Sequence, residues 1–136
     1  MTGVLVADTS AILAAAFAER QRDAVLAALA KADGVLLSSS CLLEGSIVAQ
    51  SRLGGEGQAE MRLLLEAFAV EIVPFTAEQA VIASDAWRRF GKGRHPAGLN
   101  IIDCCSYALS TQAGAPLLAV GSDFTRTDLD LVSLRL

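Results

Sequence analysis

Short apolar runs alternate with helical stretches along the chain, and this alternation restricts the fold more than any other feature. An apolar run at residues 3–7 precedes a helical stretch at 11–17, and a run at 34–38 precedes another at 41–53. Side-chain hydroxyls stand where a cap is needed before each helix: Thr9 and Ser10, then Ser39 and Ser40. This order predicts parallel strands joined by crossover helices.

The rest of the chain continues the pattern. Gly54, Gly55 and Gly57 interrupt the third helical stretch, and Thr76 with Gln79 has the form of a capping box. Further helices are predicted at 19–31, 58–69, 76–90 and 100–111, with strands at 71–75, 116–120 and 131–134. We therefore expect an α/β fold with a parallel central sheet of four to five strands and helices on both faces. A length of 136 residues suits one domain, spanning 1–136.

The composition indicates a globular protein. Hydrophobic residues make up 53% of the chain and charged residues 19%, a balance typical of a well-buried fold. Every apolar run is shorter than the roughly 20 residues that span a bilayer, and the N-terminus lacks the pattern of a secretory signal. We expect a cytoplasmic protein without a membrane segment. The cysteines, Cys41, Cys104 and Cys105, are odd in number and lack metal-site spacing, so buried thiols are expected.

Four acids are expected at one edge of the sheet. In a parallel α/β fold the strand C-termini and the helix N-termini share the side where ligands bind. Asp8 follows the first strand, Glu44 lies early in a helix, Asp103 opens a helix, and Asp123 follows the fourth strand. Apolar residues precede each of them, so they do not belong to a solvated charged run.

Clustered carboxylates repel each other unless they take up protons or bind a cation. Mg²⁺ prefers oxygen ligands and binds through a few carboxylates and a substrate phosphate, which suits phosphoryl chemistry. Helix N-termini beside Ser10, Ser40 and Asn100 would favour an anion at the same edge. For any one acid, a helix cap or a buried hydrogen-bonded carboxylate remains an alternative.

The net charge of −4 does not itself indicate a nucleic-acid partner, because binders of polyphosphates usually have a basic surface. One short segment is nevertheless basic and could hold an RNA backbone. Its members are Arg88, Arg89, Lys92, Arg94 and His95. A solvated helix end is the alternative interpretation of this segment.

Four segments together carry a family resemblance. They are VADTSAI around Asp8, the spacing from Ser39 to Glu44, GRHPAGLNIIDCCSYALS around Asp103 and LLAVGSDFTRTDLDLV around Asp123. The sequence resembles the VapC toxins of the PIN-domain family over essentially its whole length. The resemblance implies that these four acids are catalytic and bind the metal.

The same resemblance implies supporting residues. Ser10 and Asn100 would orient water or phosphate, Thr9 is a weaker candidate, and Asp128 is a peripheral member of the site. Many relatives have an aromatic residue and a glycine between the Asn and the Asp, where this chain has Ile101 and Ile102. That departure bears on substrate preference rather than on metal binding.

The activity implied is that of an Mg²⁺- or Mn²⁺-dependent endoribonuclease, the toxin of a type II toxin–antitoxin system. Metal-assisted attack of water on a phosphodiester leaves 5′-phosphate and 3′-hydroxyl ends. The implied partners are RNA, a VapB-like antitoxin that places an arginine against the carboxylates, and a second copy in a homodimer.

Other classes fit less well. A haloacid dehalogenase-type phosphatase needs a second Asp where this chain has Ser10, and a receiver domain needs paired acids and a lysine that are not evident. A metal-free ribonuclease would use an acid and a base such as two histidines, and the chain has one. The remaining alternative is a non-catalytic module whose acidic pocket binds a basic peptide.

Overall fold

The computed structural model describes residues 3–134, so the ends of the predicted domain, residues 1–2 and 135–136, lie outside the described part. The elements in chain order are β1 (Val4–Ala7), α1 (Thr9–Ala16), α2 (Arg22–Lys31), β2 (Gly34–Ser38), α3 (Ser39–Ala67), β3 (Glu71–Val73), α4 (Ala77–Phe90), α5 (Ile101–Ala113) and β4 (Leu117–Leu118), followed by a 3₁₀ turn, Asp123–Arg126.

The sheet has the order β3-β2-β1-β4, and every pairing of neighbouring strands is parallel. This confirms the α/β class predicted from the alternating pattern. The strand predicted at 131–134 is wrong in extent: Leu131 forms only an isolated bridge with Leu117. Because β4 is itself only two residues long, it offers little backbone for a further strand to pair with.

Helices cover both faces of the sheet, as predicted, and β1 shows how. Leu5 and Ala7 join the apolar cluster formed with α1, α2 and α3. Val6, which points the other way, joins the cluster formed with α4 and α5. Adjacent residues of a strand face opposite sides, so a strand buried on both faces is apolar throughout.

Two helices begin earlier than predicted. Asp8 caps α1 and Ser38 caps α3, each accepting a hydrogen bond from the backbone N–H two residues later. Thr9, Ser10, Ser39 and Ser40 are therefore not the caps. The reason is that each strand passes into its helix without a loop, which puts the last polar residue of the strand in the capping position. Thr76 does cap α4, but Gln79 bonds Pro74 and Gln112 instead of completing a capping box.

The glycines break α3 without ending it. Gly54 has φ 59° and ψ −138°, a conformation that only glycine adopts readily, and the helix continues beyond it to Ala67. The two halves then pack together, with Met61 of the second half against Gly45 of the first. A Cβ atom on Gly57 would lie against the carbonyl oxygen of Ala49, so this contact requires a glycine.

The three cysteines are free and buried, as expected. Across residues 3–134, no helix combines the length and the apolarity needed to cross a bilayer.

Replacing Gly57 by alanine should lower the free energy of unfolding by about 1–3 kcal/mol, because the methyl group would collide with the backbone of Ala49. Urea denaturation followed by circular dichroism measures this change. Gly55→Ala is the matched control, since nothing lies within 4 Å of a Cβ at that position and alanine favours helix. Equal stability of the two variants would contradict the proposed packing of α3.

Candidate active site

Asp8 lies where β1 ends and α1 begins, and its carboxylate is held from two sides. One oxygen, Oδ2, accepts hydrogen bonds from the backbone N–H and the hydroxyl of Ser10, at 3.1 and 2.7 Å. The other, Oδ1, accepts from the hydroxyl of Ser106 on α5, at 2.5 Å. The side chain is 4% exposed, so these bonds replace most of its contact with water.

Asp103 opens α5 in a reciprocal cap with Asn100. The Asn100 side-chain oxygen accepts from the Asp103 N–H at 2.8 Å, and the Asn100 N–H donates to Asp103 Oδ2 at 3.0 Å. Burial raises the pKa of Asp103 from 3.8 to about 7, and the charges of Asp8, Asp123 and Glu44 add to the rise against the Asn100 hydrogen bond. The Asp103 carboxyl is therefore readily protonated near neutral pH.

Asp8, Glu44 and Asp123 raise the pKa of Asp103 through their charges, so four acids from distant parts of the chain influence one another. Glu44 is half-buried on α3, and Asp123 is exposed at the start of the 3₁₀ turn that follows β4. Within residues 3–134, no three His, Cys, Asp or Glu side chains lie close enough together to hold a metal ion as they stand. The charges of the four acids affect one another, but the side chains are not yet close enough together to act as the ligands of one metal ion.

Cations do not neutralise this group. The ion pairs among the described residues join arginines to Glu19, Glu66, Asp85 and Asp128, and none involves the four acids at the edge. Carboxylate oxygens are hard ligands, and a divalent cation bound among these acids would offset their mutual repulsion. The chemistry of these donors therefore fits a divalent metal ion.

Ser10 and Asn100 lie beside the acids, but each hydroxyl or amide oxygen is occupied by the protein. The Ser10 hydroxyl donates to Asp8 and accepts from the Val120 N–H at 3.0 Å, which ties α1 to the segment after β4. Asn100 is bonded to Asp103 in the cap described above. Through these contacts Ser10 holds the Asp8 carboxylate, and Asn100 holds that of Asp103.

Thr9 and Asp128 have other contacts. The Thr9 hydroxyl is buried and reaches the backbone carbonyl of Cys41 at 3.5 Å. Asp128 accepts from Tyr107 at 2.6 Å and from Arg89 at 2.9 Å, and these bonds hold its pKa below the usual value. Asp128 thus joins the 3₁₀ segment to α4 and α5.

The basic segment is partly occupied by contacts within the protein. Arg88 pairs with Asp85 at 2.6 Å, and Arg89 with Asp128 at 2.9 Å. Arg94 lies over the ring of Trp87 and His95 packs edge-on against Phe90. Among the described residues no acid pairs with Lys92 or Arg94, so these two cations remain available to an anionic ligand.

Ser106 is the residue of this site that the sequence interpretation missed. It is fully buried, and its hydroxyl lies 2.5 Å from Asp8 Oδ1 and 3.0 Å from the thiol of Cys41. Burial and the charge of Asp8 raise the pKa of Cys41 to about 12, so that thiol stays protonated. The available signal was a serine three residues after Asp103, within the otherwise apolar run 104–109, which places both on one helix face.

Comparisons with known proteins identify the family of the chain. The PIN domain family matches residues 5–129. Ribonuclease VapC30 of Mycobacterium tuberculosis is 43% identical over 131 residues, which cover 96% of this chain and 99% of that protein.

Solved structures with low sequence identity share the fold. VapC20 of Mycobacterium tuberculosis, described as a toxin that cleaves the sarcin-ricin loop, has a TM-score of 0.77 at 19% identity and covers 94% of this chain and 98% of its own. VapBC-5 of the same organism, a member of the VapBC toxin–antitoxin systems, has a TM-score of 0.66 at 18% identity and covers 98% and 99%. The family match and the extent of the VapC30 identity lead to one conclusion: the chain belongs to the PIN-domain family and, within it, to the VapC ribonucleases.

Proposed function

We propose that this VapC-type endoribonuclease cuts RNA at a site formed by Asp8, Glu44, Asp103 and Asp123, and that the site works with Mg²⁺ or Mn²⁺. One observation carries the proposal. The charges of Asp8, Asp123 and Glu44 act together on the half-buried Asp103, and no described cation offsets them. Membership of the VapC ribonucleases favours this enzyme over the non-catalytic acidic module considered from the sequence.

The roles of the residues follow from their contacts. The four acids would hold the metal, and Ser10 and Asn100 would keep Asp8 and Asp103 in place through the hydrogen bonds described above. Bound Mg²⁺ or Mn²⁺ would supply an acidified water and offset the charge that develops on the phosphodiester. Asp103, whose pKa is about 7, must give up its proton before its carboxylate can serve as a ligand.

RNA would approach this edge from the side of the basic segment. Lys92 and Arg94 are the candidates for holding the backbone, since both are exposed and no described acid pairs with them. Arg94 would keep or exchange its contacts with Trp87 and the Arg88 carbonyl. Arg88, Arg89 and His95, also predicted to bind RNA, would have to exchange their present contacts to do so. VapC20 is described as cleaving the sarcin-ricin loop, and a structured RNA is the substrate class we propose for this chain.

A VapB-like antitoxin is the protein partner of this toxin, and an arginine of that partner placed against the acids would block the site. Exposed apolar side chains near the acids offer it a surface. Leu43 and Ile47 flank Glu44, and Ile101 precedes Asp103, all more than half exposed. Part of the same surface would serve a homodimer. A protein that acts on cellular RNA would work in the cytoplasm.

Purified, antitoxin-free protein should cut total cellular RNA in Mn²⁺ or Mg²⁺, leaving 5′-phosphates, and EDTA should stop the reaction. Asp8→Asn and Glu44→Gln should each lower the rate by more than about 100-fold, because losing a metal ligand should cost more than losing an outer partner. Sequencing of the cut ends over a time course measures the rate of cleavage and identifies the 5′-phosphate ends. Glu60→Gln, an exposed acid on the same helix as Glu44, is the control and should retain full activity. Metal-independent cutting, or full activity in Asp8→Asn, would contradict the proposal.

Without metal, the protein should become less stable as pH rises from about 5 to 8. The pKa of Asp103 is raised by folding, from 3.8 to about 7, so the folded protein binds the proton more tightly. Its contribution to stability is complete below the unfolded pKa and is lost as pH rises through the folded pKa. Asp103→Asn cannot ionise and should show a flatter profile.

Urea denaturation in EDTA at several pH values tests this prediction. Asp130→Asn, which replaces an exposed acid outside the proposed site, serves as the control and should follow the wild-type profile. Saturating Mn²⁺ should restore wild-type stability at pH 8, because it binds the folded, ionised site. Parallel profiles for wild type and Asp103→Asn would show that Asp103 does not carry the proton.

A further inference from the structure

Ser106 is a polar residue in the middle of the fold. It lies on α5 with no exposed surface, between Cys105 and Tyr107, which are also buried. A hydroxyl is unfavourable in such a place unless it forms hydrogen bonds, and an alanine would pack there without that requirement. The Ser106 hydroxyl meets the requirement by donating to Asp8 Oδ1 at 2.5 Å.

The surroundings of Ser106 connect the elements that carry the acids. Ser106 comes three residues after Asp103 on α5, and Cys41 comes three residues before Glu44 on α3, so each pair shares a helix face. The Cys41 thiol lies 3.0 Å from the Ser106 hydroxyl. Because the single proton of Ser106 goes to Asp8, the thiol is the donor to Ser106 in this chain of contacts.

The bond from Ser106 is not needed to start α1. Asp8 caps that helix through Oδ2, which binds the N–H of Ser10, while Ser106 binds the other oxygen. Two donors from different elements, one on each oxygen, fix the plane of the carboxylate and its place relative to α5. The bond therefore ties the Asp8 carboxylate to the helix that carries Asp103.

We propose that Ser106 is a positioning residue for the acidic site, which fixes Asp8 relative to Asp103 so that both can bind one divalent cation. This inference rests on the proposed metal-dependent function. Ser106 acts through Asp8 and does not itself touch the substrate. Hydrogen-bond partners of metal ligands commonly change metal affinity by 10- to 100-fold when they are removed.

The test is the affinity for Mn²⁺ of purified, antitoxin-free protein, measured by isothermal titration calorimetry and by the electron paramagnetic resonance signal of free Mn²⁺. Ser106→Ala should bind Mn²⁺ about 10- to 100-fold more weakly than wild type. Ser110→Ala is the matched control, a buried serine one turn later on α5 whose hydroxyl donates to the Ala115 carbonyl at 2.6 Å. It should lose stability without losing affinity for Mn²⁺.

A second pair of variants separates the hydroxyl from packing. Ser106→Thr and Ser106→Val have the same shape, but only threonine can donate to Asp8. The threonine variant should bind Mn²⁺ at least about 10-fold more tightly than the valine variant, even if both are less stable than wild type.

The outcomes are distinct for the two proposals. Wild-type affinity in Ser106→Ala, or equal affinities in the threonine and valine variants, would overturn the role of Ser106 while metal-dependent cleavage by the wild type still stands. If the wild-type protein neither binds Mn²⁺ through Asp8 nor cuts RNA, the proposed function fails and the positioning role fails with it.

Discussion

The buried carboxylate of Asp8 is the interaction on which the rest of the site depends. It ends the central strand β1, caps α1 and accepts a hydrogen bond from α5, so three elements meet at one side chain. Ser10 extends the connection to Val120 beyond β4. Burial of the Asp8 carboxylate is energetically unfavourable, and hydrogen-bond donors from different elements of the fold compensate for it and keep the side chain in place.

Much of the fold could be predicted from the sequence, because its signals are local. Apolar runs flanked by helical stretches indicate parallel strands, and the order of the acids along the chain places them at one edge. Asp8, Glu44, Asp103 and Asp123 were proposed as the site in this way. The strand order could not be predicted, and neither could the reduction of the last strand to a bridge at Leu131. Both depend on which surfaces of the chain pack together.

The helix caps and the hydrogen bonds between distant side chains were harder to predict, because they too depend on the packed structure. Hydroxyls near a helix start look alike in sequence, and only the absence of a loop after β1 makes Asp8 the cap of α1. Ser106 lies 98 residues from its partner Asp8, a separation at which no local pattern carries information. In the sequence, no local pattern links Arg89 to Asp128. In the structure Arg89 pairs with Asp128, which is 39 residues away.

The parallel pairing of β1 with β4 has a consequence during synthesis. Strand β1 leaves the ribosome first, but its neighbour β4 and the Val120 contact to Ser10 come more than 100 residues later. Contacts this distant in sequence form late in folding. A nascent chain that ends before α5 holds Asp8 and Glu44 but neither Asp103 nor Asp123, so the group of four acids cannot be assembled until α5 and the turn after β4 have been synthesised.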